Sequence, residues 1–193
     1  MEHIPKFKSR GNLQLLEEPL TAFFCSSQCP GDLVLKTYDL ARSMRDAGVA
    51  VIGGFQTPME KECLRLLLRG NQPVVICPAR SIDNMRVPRD WRGRMEDGKI
   101  LVLSPFPETV RRPTVESAIQ RNELVASLAT QVFIAHASPG SKTESIARKL
   151  AAAGKSLLTL DTPANANLVG MGALGVRPGA MPWNLVERTS HGA

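Results

Sequence analysis

The chain alternates between short apolar runs and longer stretches in which apolar residues recur at helical spacing. Six runs rich in Val, Ile, Leu and Phe are too short for an ordinary helix, which favours strands. They are residues 20–26, 49–53, 73–77, 100–104, 131–135 and 156–160. Strands that are apolar on both faces are typical of a parallel sheet covered by helices.

Four stretches between these runs have the spacing of helices. They cover residues 32–48, 57–70, 114–128 and 140–154. Asp32, Thr57 and Thr114 are predicted N-caps, and Pro58 fits the first helical position. Residues 80–98 are polar and basic, which predicts a loop with a short helix around Trp91.

This alternation predicts an α/β fold, a Rossmann-like three-layer sandwich with a mostly parallel sheet of about six or more strands. The length of 193 residues fits one domain. We expect its core at about residues 20–175, with loosely packed extensions at residues 1–13 and 177–193.

Composition limits the classes of protein that fit. Lys and Arg number 24 against 18 Asp and Glu, and the net charge of +6 favours partners that carry phosphate. The four cysteines form neither a spaced disulfide framework nor a zinc motif, so reduced core thiols are expected. The sequence shows no signal peptide and no apolar run of membrane-spanning length, so we expect a cytoplasmic protein without membrane contact.

The turn at residues 138–143, SPGSKT, is the strongest candidate site because ligands of parallel sheets bind beyond the carboxyl ends of the strands. Gly140 permits a tight turn, and Ser141, Lys142 and Thr143 place hydroxyls, an ammonium and free amides at a helix N-terminus, which suits phosphate. A well-capped turn without a ligand fits equally well, so both interpretations stay open. The Walker A motif is excluded, because two of its glycine positions hold other residues.

Other strand-end residues are assigned to the same phosphate or nucleotide pocket. Ser26 follows the first run, and Gly53 and Gly54 follow the second, where they permit either close approach of a ligand or a flexible turn. Asn122 is predicted on the sheet-facing stripe of its helix, where a buried amide needs a loop or a ligand as partner. Arg121 beside it is a candidate clamp for phosphate or carboxylate.

The basic stretch at residues 86–94 is a candidate nucleic-acid surface. It combines Arg86, Arg89, Arg92 and Arg94 with Trp91, so it offers charge for a DNA backbone and a ring on which a base can stack. A solvated loop whose Trp91 packs on the core is the alternative.

No catalytic residue, metal or cofactor is predicted. The sequence has three histidines, two of them near the ends of the chain, so neither a catalytic triad nor a metal cluster has enough partners. His136 is interpreted as a structural residue at the end of a strand.

Four motifs occur in a recognisable order: Gly53-Gly54, RNELVASL at residues 121–128, SPGSKT at residues 138–143 and NLVGMGA at residues 167–173. Over about residues 20–175 the chain resembles the Rossmann-like domain of the DNA-processing DprA/Smf family. That family has a Ser-Gly turn after its second strand, an Arg-Asn-Arg motif opening a helix, a Ser-Gly-Ser turn and a late Asn to Gly-Ala stretch.

The resemblance implies binding of single-stranded DNA and loading of a RecA-type recombinase in recombination or DNA uptake, without a catalysed reaction. It also implies a homodimer, and a phosphate pocket formed by residues 53, 54, 121, 122, 140, 141 and 143. The chain departs from the family pattern at Gln28 and Glu123, where arginines are usual, and has no room for the additional domains of longer members.

Two related functions stay as alternatives. A nucleotide sensor would use the same pocket. A LOG-like nucleoside monophosphate phosphoribohydrolase is weakly suggested by Pro139-Gly140 and Thr143-Glu144, although two glycines and the Arg-Lys motif of that family are missing.

Overall fold

The computed structural model describes residues 7–179, which form an eight-stranded sheet with helices on both faces. The strands are β1 (Lys8–Gly11), β2 (Thr21–Phe24), β3 (Val51–Gly53), β4 (Val74–Ile76), β5 (Ile100–Ser104), β6 (Gln131–Ile134), β7 (Ser156–Leu160) and β8 (Leu174–Val176). Among these strands, β1 alone is antiparallel to its neighbour. The predicted mostly parallel α/β sheet is confirmed, and each of the six predicted runs contains a strand.

The sequence did not predict the two edge strands. The β1 strand, Lys8–Gly11, pairs with β5, which corrects the expectation of a loosely packed extension for these residues. Residues 1–6 of that predicted extension lie outside the described residues. At the other edge, β8 pairs with β7. Both strands are short and partly exposed, so neither has the apolar run that marks a buried strand. Most of the second predicted extension, residues 177–193, lies outside the described residues.

The helices of the described chain are α1 (Gly31–Asp46), α2 (Pro58–Leu67), α3 (Arg89–Glu96), α4 (Val115–Leu128), α5 (Lys142–Ala152) and α6 (Ala166–Gly170). Thr57 and Thr114 cap α2 and α4, each within a capping box. The prediction that Asp32 caps α1 is wrong. The N-cap is Pro30, and Asp32 lies in the first helical turn, where its charge complements the helix dipole.

Two hydrophobic clusters cover the two faces of the sheet. One packs Leu40 of α1 and Leu67 of α2 against Phe23. The other packs Leu124 of α4 against Phe24. Because successive strand residues point to opposite faces, β2 contributes to both clusters and lies at the centre of three layers.

The order of strands across the sheet determines where a ligand can enter. It runs β1-β5-β4-β3-β2-β6-β7-β8. The chain therefore builds outward from β2 through β3, β4 and β5, and then returns to the other side of β2 with β6. The carboxyl ends of β2 and β6 flank this reversal, and such a reversal is where open α/β sheets bind ligands.

Candidate functional site

The first contact at the strand-order reversal joins the turns that follow β2 and β6. Ser26 Oγ lies 3.2 Å from Ser141 Oγ and accepts a 3.1 Å hydrogen bond from the Ser138 backbone N–H. The Ser26 N–H donates to the carbonyl oxygen of His136, and Ser138 Oγ donates to the carbonyl oxygen of Gln28. The two turns are therefore held together as one unit.

Helix α5 begins directly at this contact. Ser141 is its N-cap and accepts a hydrogen bond from the Glu144 backbone N–H. Gly140 has a φ of +73°, a left-handed conformation that favours glycine. Lys142 is exposed and Thr143 is half-buried, and no described residue accepts a hydrogen bond from the backbone N–H of either. The positive end of the helix thus presents two amide donors and a lysine.

Glu144 places a carboxylate in this turn, a contact that no local sequence pattern indicates. Its Oε2 accepts a 2.8 Å hydrogen bond from the Gly140 N–H, and its Oε1 accepts a 2.7 Å bond from the Asn167 side-chain amide. The Asn167 amide and the Gly140 N–H hold the pKa of Glu144 below its ordinary value. The Gly140 N–H is therefore used within the protein. The Ser141 N–H, one of the amides predicted to be free, also has a protein acceptor, the Ser138 carbonyl oxygen at 3.0 Å.

The turn after β3 is shaped by a guanidinium group. A Cβ on Gly54 would overlap the side chain of Arg121, so only glycine leaves room for it. Phe55, the next residue, is buried and has a φ of +48°, which is uncommon outside glycine. Its ring lies against Gly53. The glycine pair thus makes space for two large neighbouring side chains.

Arg121 is buried, with 4% of its surface exposed, and its charge is shared among protein acceptors. It donates to the Cys77 carbonyl oxygen at 3.0 Å, to Gln56 Oε1 at 2.9 Å and to Asn122 Oδ1 at 2.7 Å. The prediction that Asn122 occupies the buried stripe of α4 needs correction, because Arg121 lies there and Asn122 is half-buried. Burial lowers the pKa of Arg121, although the nearby charge of Glu60 favours its cationic form.

Glu60 connects the turns after β2 and β3. Its Oε1 accepts a hydrogen bond from the Cys25 N–H at 3.0 Å, and its Oε2 accepts bonds from the N–H groups of Gln56 and Thr57. Burial raises the pKa of Glu60, against the opposing effects of these donors and of Arg121. From sequence, Glu60 was recognisable only as part of the α2 cap, because its contact with Cys25 depends on the tertiary fold.

His136 supports the turn after β6 from within. Its Nδ1–H donates to Asn165 Oδ1 at 2.9 Å, and its Nε2 lies 3.3 Å from Ser138 Oγ. The Asn165 amide nitrogen donates to the carbonyl oxygens of Ala135 and Leu160. The bonds of Asn165 satisfy its buried amide and fix the position of the turn.

The predicted surface at residues 86–94 extends between opposite edges of the sheet. Arg86, Arg89 and Arg92 are exposed. Trp91 is half-buried and packs against the α1–α2 core cluster. Arg94 donates to the carbonyl oxygens of Leu68 and Gln72, just before β4 begins, so it belongs to the amino edge. The structure therefore does not place these five side chains on one surface.

A second group of arginines lies at the carboxyl ends of β4 and β5. A cleft of about 250 Å³ is lined by Arg80, Ser81, Asn84, Glu108 and Arg111, and we call it the arginine cleft. It lies at the same edge of the sheet as the Ser26–Ser141 contact.

Among residues 7–179, no group of three or more His, Cys, Asp or Glu side chains is placed to hold a metal ion. No helix in this part of the chain has both the length and the apolarity needed to span a bilayer.

Of the predicted pocket residues, the structure brings Ser26 together with Ser141 and places Gly54, Arg121 and Asn122 in one hydrogen-bonded group. Glu60 links the two groups through Cys25 and Gln56. The strand-end turns therefore converge at one edge.

Comparisons with known proteins agree with this fold. The Helicobacter pylori DNA processing protein A, whose structure concerns a single-stranded DNA binding mode, is 23% identical with a TM-score of 0.71. The match covers 91% of this chain and 84% of that one. The Streptococcus pneumoniae DprA is 17% identical with a TM-score of 0.74, and the match covers 94% of this chain and 65% of that one.

A more distant match is the molybdenum cofactor carrier protein of Chlamydomonas reinhardtii, at 11% identity and a TM-score of 0.57. It covers 84% of this chain and 93% of that one, which shows a shared fold only.

No curated protein sequence matches the chain. The characteristic sequence pattern of DNA recombination-mediator protein A matches residues 3–184. The chain therefore belongs to the DNA recombination-mediator protein A family, the DprA family of DNA-processing proteins.

Proposed function

We propose that this protein binds single-stranded DNA along the carboxyl edge of its sheet, with a backbone phosphate at the start of α5. The observation that carries the proposal is the contact between Ser26 and Ser141 at the strand-order reversal. This contact fixes the helix N-terminus beside a second turn, where a parallel sheet receives its ligands.

The chemistry of this turn suits one phosphate group. The backbone N–H groups of Lys142 and Thr143 are donors without a described acceptor, and the Lys142 ammonium is exposed beside them. Gly53, Gly54, Arg121 and Asn122 would shape the neighbouring wall. In this proposal Arg121 acts through its bonds to the strand ends, because its guanidinium is already shared among three protein oxygens.

A polynucleotide needs further contacts beyond one phosphate. The arginine cleft offers Arg80 and Arg111 at the same edge, and Arg86 and Arg89 are exposed along the following segment. Together with the net charge of +6, these side chains support a backbone-tracking mode of binding. The single-stranded DNA binding of the Helicobacter pylori relative supports the same ligand class.

The test is a fluorescence titration of a labelled single-stranded oligonucleotide at several salt concentrations. Lys142→Ala is expected to weaken binding by about threefold to tenfold, an energy of about 1 kcal/mol, and to reduce the salt dependence. Lys99→Ala is the matched control, since Lys99 is an exposed lysine directly before β5 at the opposite edge. An equal loss of DNA affinity in Lys142→Ala and Lys99→Ala would contradict the proposed location of the phosphate site. Absence of binding at low salt would contradict the proposed function.

The alternatives predict different results. A nucleotide sensor would be stabilised against heat by a mononucleotide or dinucleotide at concentrations where an oligonucleotide has no effect. A LOG-like hydrolase would release free base from a nucleoside monophosphate. The RecA-type recombinase partner and the homodimer are further parts of the proposal, to be tested by co-purification with a recombinase and by light scattering.

A further inference from the structure

Two loops at the carboxyl edge of the sheet form the walls of the arginine cleft. One loop follows β4 and the other follows β5. The Ser81 N–H donates to the Val110 carbonyl oxygen at 2.8 Å. The Asn84 side-chain amide donates to Glu108 Oε1 at 3.1 Å. These two bonds join the walls, so the protein itself sets the shape of this cleft of about 250 Å³.

The loop after β4 is also anchored by the edge strand β1. The Arg10 guanidinium donates to the carbonyl oxygen of Asp83 at 2.7 Å and to that of Met85 at 2.9 Å. The Asp83 carboxylate pairs with Lys8 at 2.6 Å and accepts a hydrogen bond from Ser81 Oγ at 2.6 Å. A loop held in this way loses little conformational freedom when a ligand binds, which favours affinity.

The side chains that line the cleft leave both donors and an acceptor available. The guanidinium groups of Arg80 and Arg111 make no hydrogen bond or ion pair with any of residues 7–179, whereas Arg121 at the same edge is bound to three oxygens. Glu108 Oε1 accepts from Asn84, and no donor in this part of the chain binds Glu108 Oε2. The cleft thus combines two free cationic donors with a free carboxylate oxygen.

We propose that the arginine cleft binds one guanine base, with Arg80 and Arg111 donating to O6 and N7 and with Glu108 accepting from the N1–H and the 2-amino group. The fork of an arginine suits the neighbouring O6 and N7 acceptors, and a carboxylate suits the neighbouring donors. Among the four DNA bases, guanine alone combines two neighbouring acceptors with two neighbouring donors. In a single strand both edges of the base are free to be recognised.

Glu108 decides between a base and a phosphate as the occupant of the cleft. Two arginines alone would suit a phosphate group. A carboxylate in the same cleft repels a phosphate because both carry negative charge, whereas it accepts hydrogen bonds from the donor groups of a base. The volume agrees with this choice. About 250 Å³ lies just below the roughly 300–1,000 Å³ of pockets for drug-sized ligands, which fits a single base.

The position of the cleft connects it to the proposed DNA site. Strands β4 and β5 lie two and three places from β2 in the sheet, a distance of about 10–15 Å. A short stretch of single strand spans this distance, so a strand with a phosphate at the start of α5 would place a nearby base in the cleft. Arg86 and Arg89 then remain for the backbone. This source of the guanine rests on the proposed function, whereas recognition of guanine in a free nucleotide does not.

The experiment is a fluorescence titration of the protein with a set of related oligonucleotides. They are an all-thymine strand and the same strand with a single central guanine, adenine or hypoxanthine. We expect the guanine to tighten binding by about fivefold relative to the all-thymine strand. Adenine measures the effect of purine stacking alone, and hypoxanthine lacks the 2-amino group, so both strands should bind more weakly than the guanine strand.

Two matched variants test the role of the carboxylate. Glu108→Ala should bind the guanine and hypoxanthine strands equally, because it removes the acceptor of the 2-amino group. Glu96→Ala is the control and should keep the guanine preference, since Glu96 is an exposed acid that ends α3 shortly before β5 begins, at the opposite edge of the sheet. Thermal melting verifies that each variant is folded.

Equal affinity of the wild type for the guanine, adenine and all-thymine strands would overturn the guanine site and leave the proposed function standing. A guanine preference that persists in Glu108→Ala would overturn the assignment to this cleft. Melting with deoxyguanosine monophosphate tests the cleft without a strand, because a bound nucleotide raises the melting temperature. If this nucleotide stabilises the wild type and not Glu108→Ala while no oligonucleotide binds, the proposed function fails and the guanine site stands.

Discussion

Ser26 and Ser141 stand 115 positions apart in the chain, yet their hydroxyl oxygens lie 3.2 Å apart. This contact joins the turn after β2 to the start of α5, and Ser26 also accepts a hydrogen bond from the Ser138 N–H. The predicted phosphate turn is thus positioned by a residue from the first β–α unit.

Ser26→Ala should therefore lower the stability of the protein and also loosen the turn at the proposed phosphate site. The substitution leaves the Ser138 N–H without its acceptor, which should lower the free energy of unfolding by about 1–3 kcal/mol. Chemical denaturation measures this change. Ser145→Ala is the control, because Ser145 is an exposed residue of α5 whose side chain makes no hydrogen bond to any of residues 7–179. An equal effect of both substitutions would show that the Ser26 contact contributes nothing specific.

The packing of Gly54 against Arg121 predicts strong coupling between the two positions. Gly54→Ala should destabilise the protein by about 2–4 kcal/mol, because the added Cβ displaces a buried guanidinium from its acceptors. Arg121→Ala should be similarly costly. In the double variant the second substitution should add little, since the overlap no longer exists. Denaturation of all four proteins gives the coupling energy, and simple additivity would contradict this packing.

Glu144 should influence acid stability. The Asn167 amide and the Gly140 N–H hold its folded pKa below the ordinary value of 4.5. A carboxyl with a lowered folded pKa stabilises the protein above its unfolded pKa, and this stabilisation is lost as the pH falls through the folded value. The melting temperature of Glu144→Gln should therefore fall less than that of the wild type as the pH drops below 4.5. Parallel melting curves from pH 7 to pH 3 would contradict this role.

The same carboxylate should oppose DNA binding. Glu144→Gln removes a negative charge beside the proposed phosphate position and should tighten oligonucleotide binding by about fivefold. The control is Glu123→Gln, because Glu123 is an exposed acid of α4 paired with Lys149. Titrations at one fixed salt concentration compare the variants. Weaker binding by Glu144→Gln would contradict this prediction, and it would indicate that Glu144 holds the turn in the conformation that binds DNA.

The arginines at residues 86–94 should include one that stabilises the fold, Arg94, and one that contacts DNA, Arg89. Arg94→Ala should lower stability by about 1–3 kcal/mol, since it removes bonds to the carbonyl oxygens of Leu68 and Gln72. Arg89→Ala should leave stability within about 0.5 kcal/mol and weaken DNA binding. Thermal melting and titration of each variant distinguish the two. If both variants lose only stability, this segment does not contact DNA.

Much of the fold could be predicted from the sequence because it rests on local patterns. The six buried runs form strands, and the side chains of Thr57 and Thr114 cap helices as expected. The edge strand Lys8–Gly11 has the polar sequence KSRG and becomes a strand by pairing with β5. Its partner is more than eighty positions away, so no local pattern could indicate it.

The site was predictable in its location and not in its contacts. Strand-end turns identified Ser26, Gly54 and Ser141, because parallel strands end at a common edge. The burial of Arg121 in place of Asn122 depends on the rotation of α4 by about 100° per residue, which the apolar spacing did not resolve. The bonds made by Glu144 require knowledge of the neighbouring loop that carries Asn167.

The reversal of strand order has a consequence for how the site is assembled. Residues up to the end of β5 build one side of the sheet, and residues from β6 onward build the other. Ser26 belongs to the first half of the chain and Ser141 to the second, so neither half contains a complete site. Formation of the site therefore reports that the two halves have joined. A chain divided between β5 and β6 would regain it only when both pieces associate.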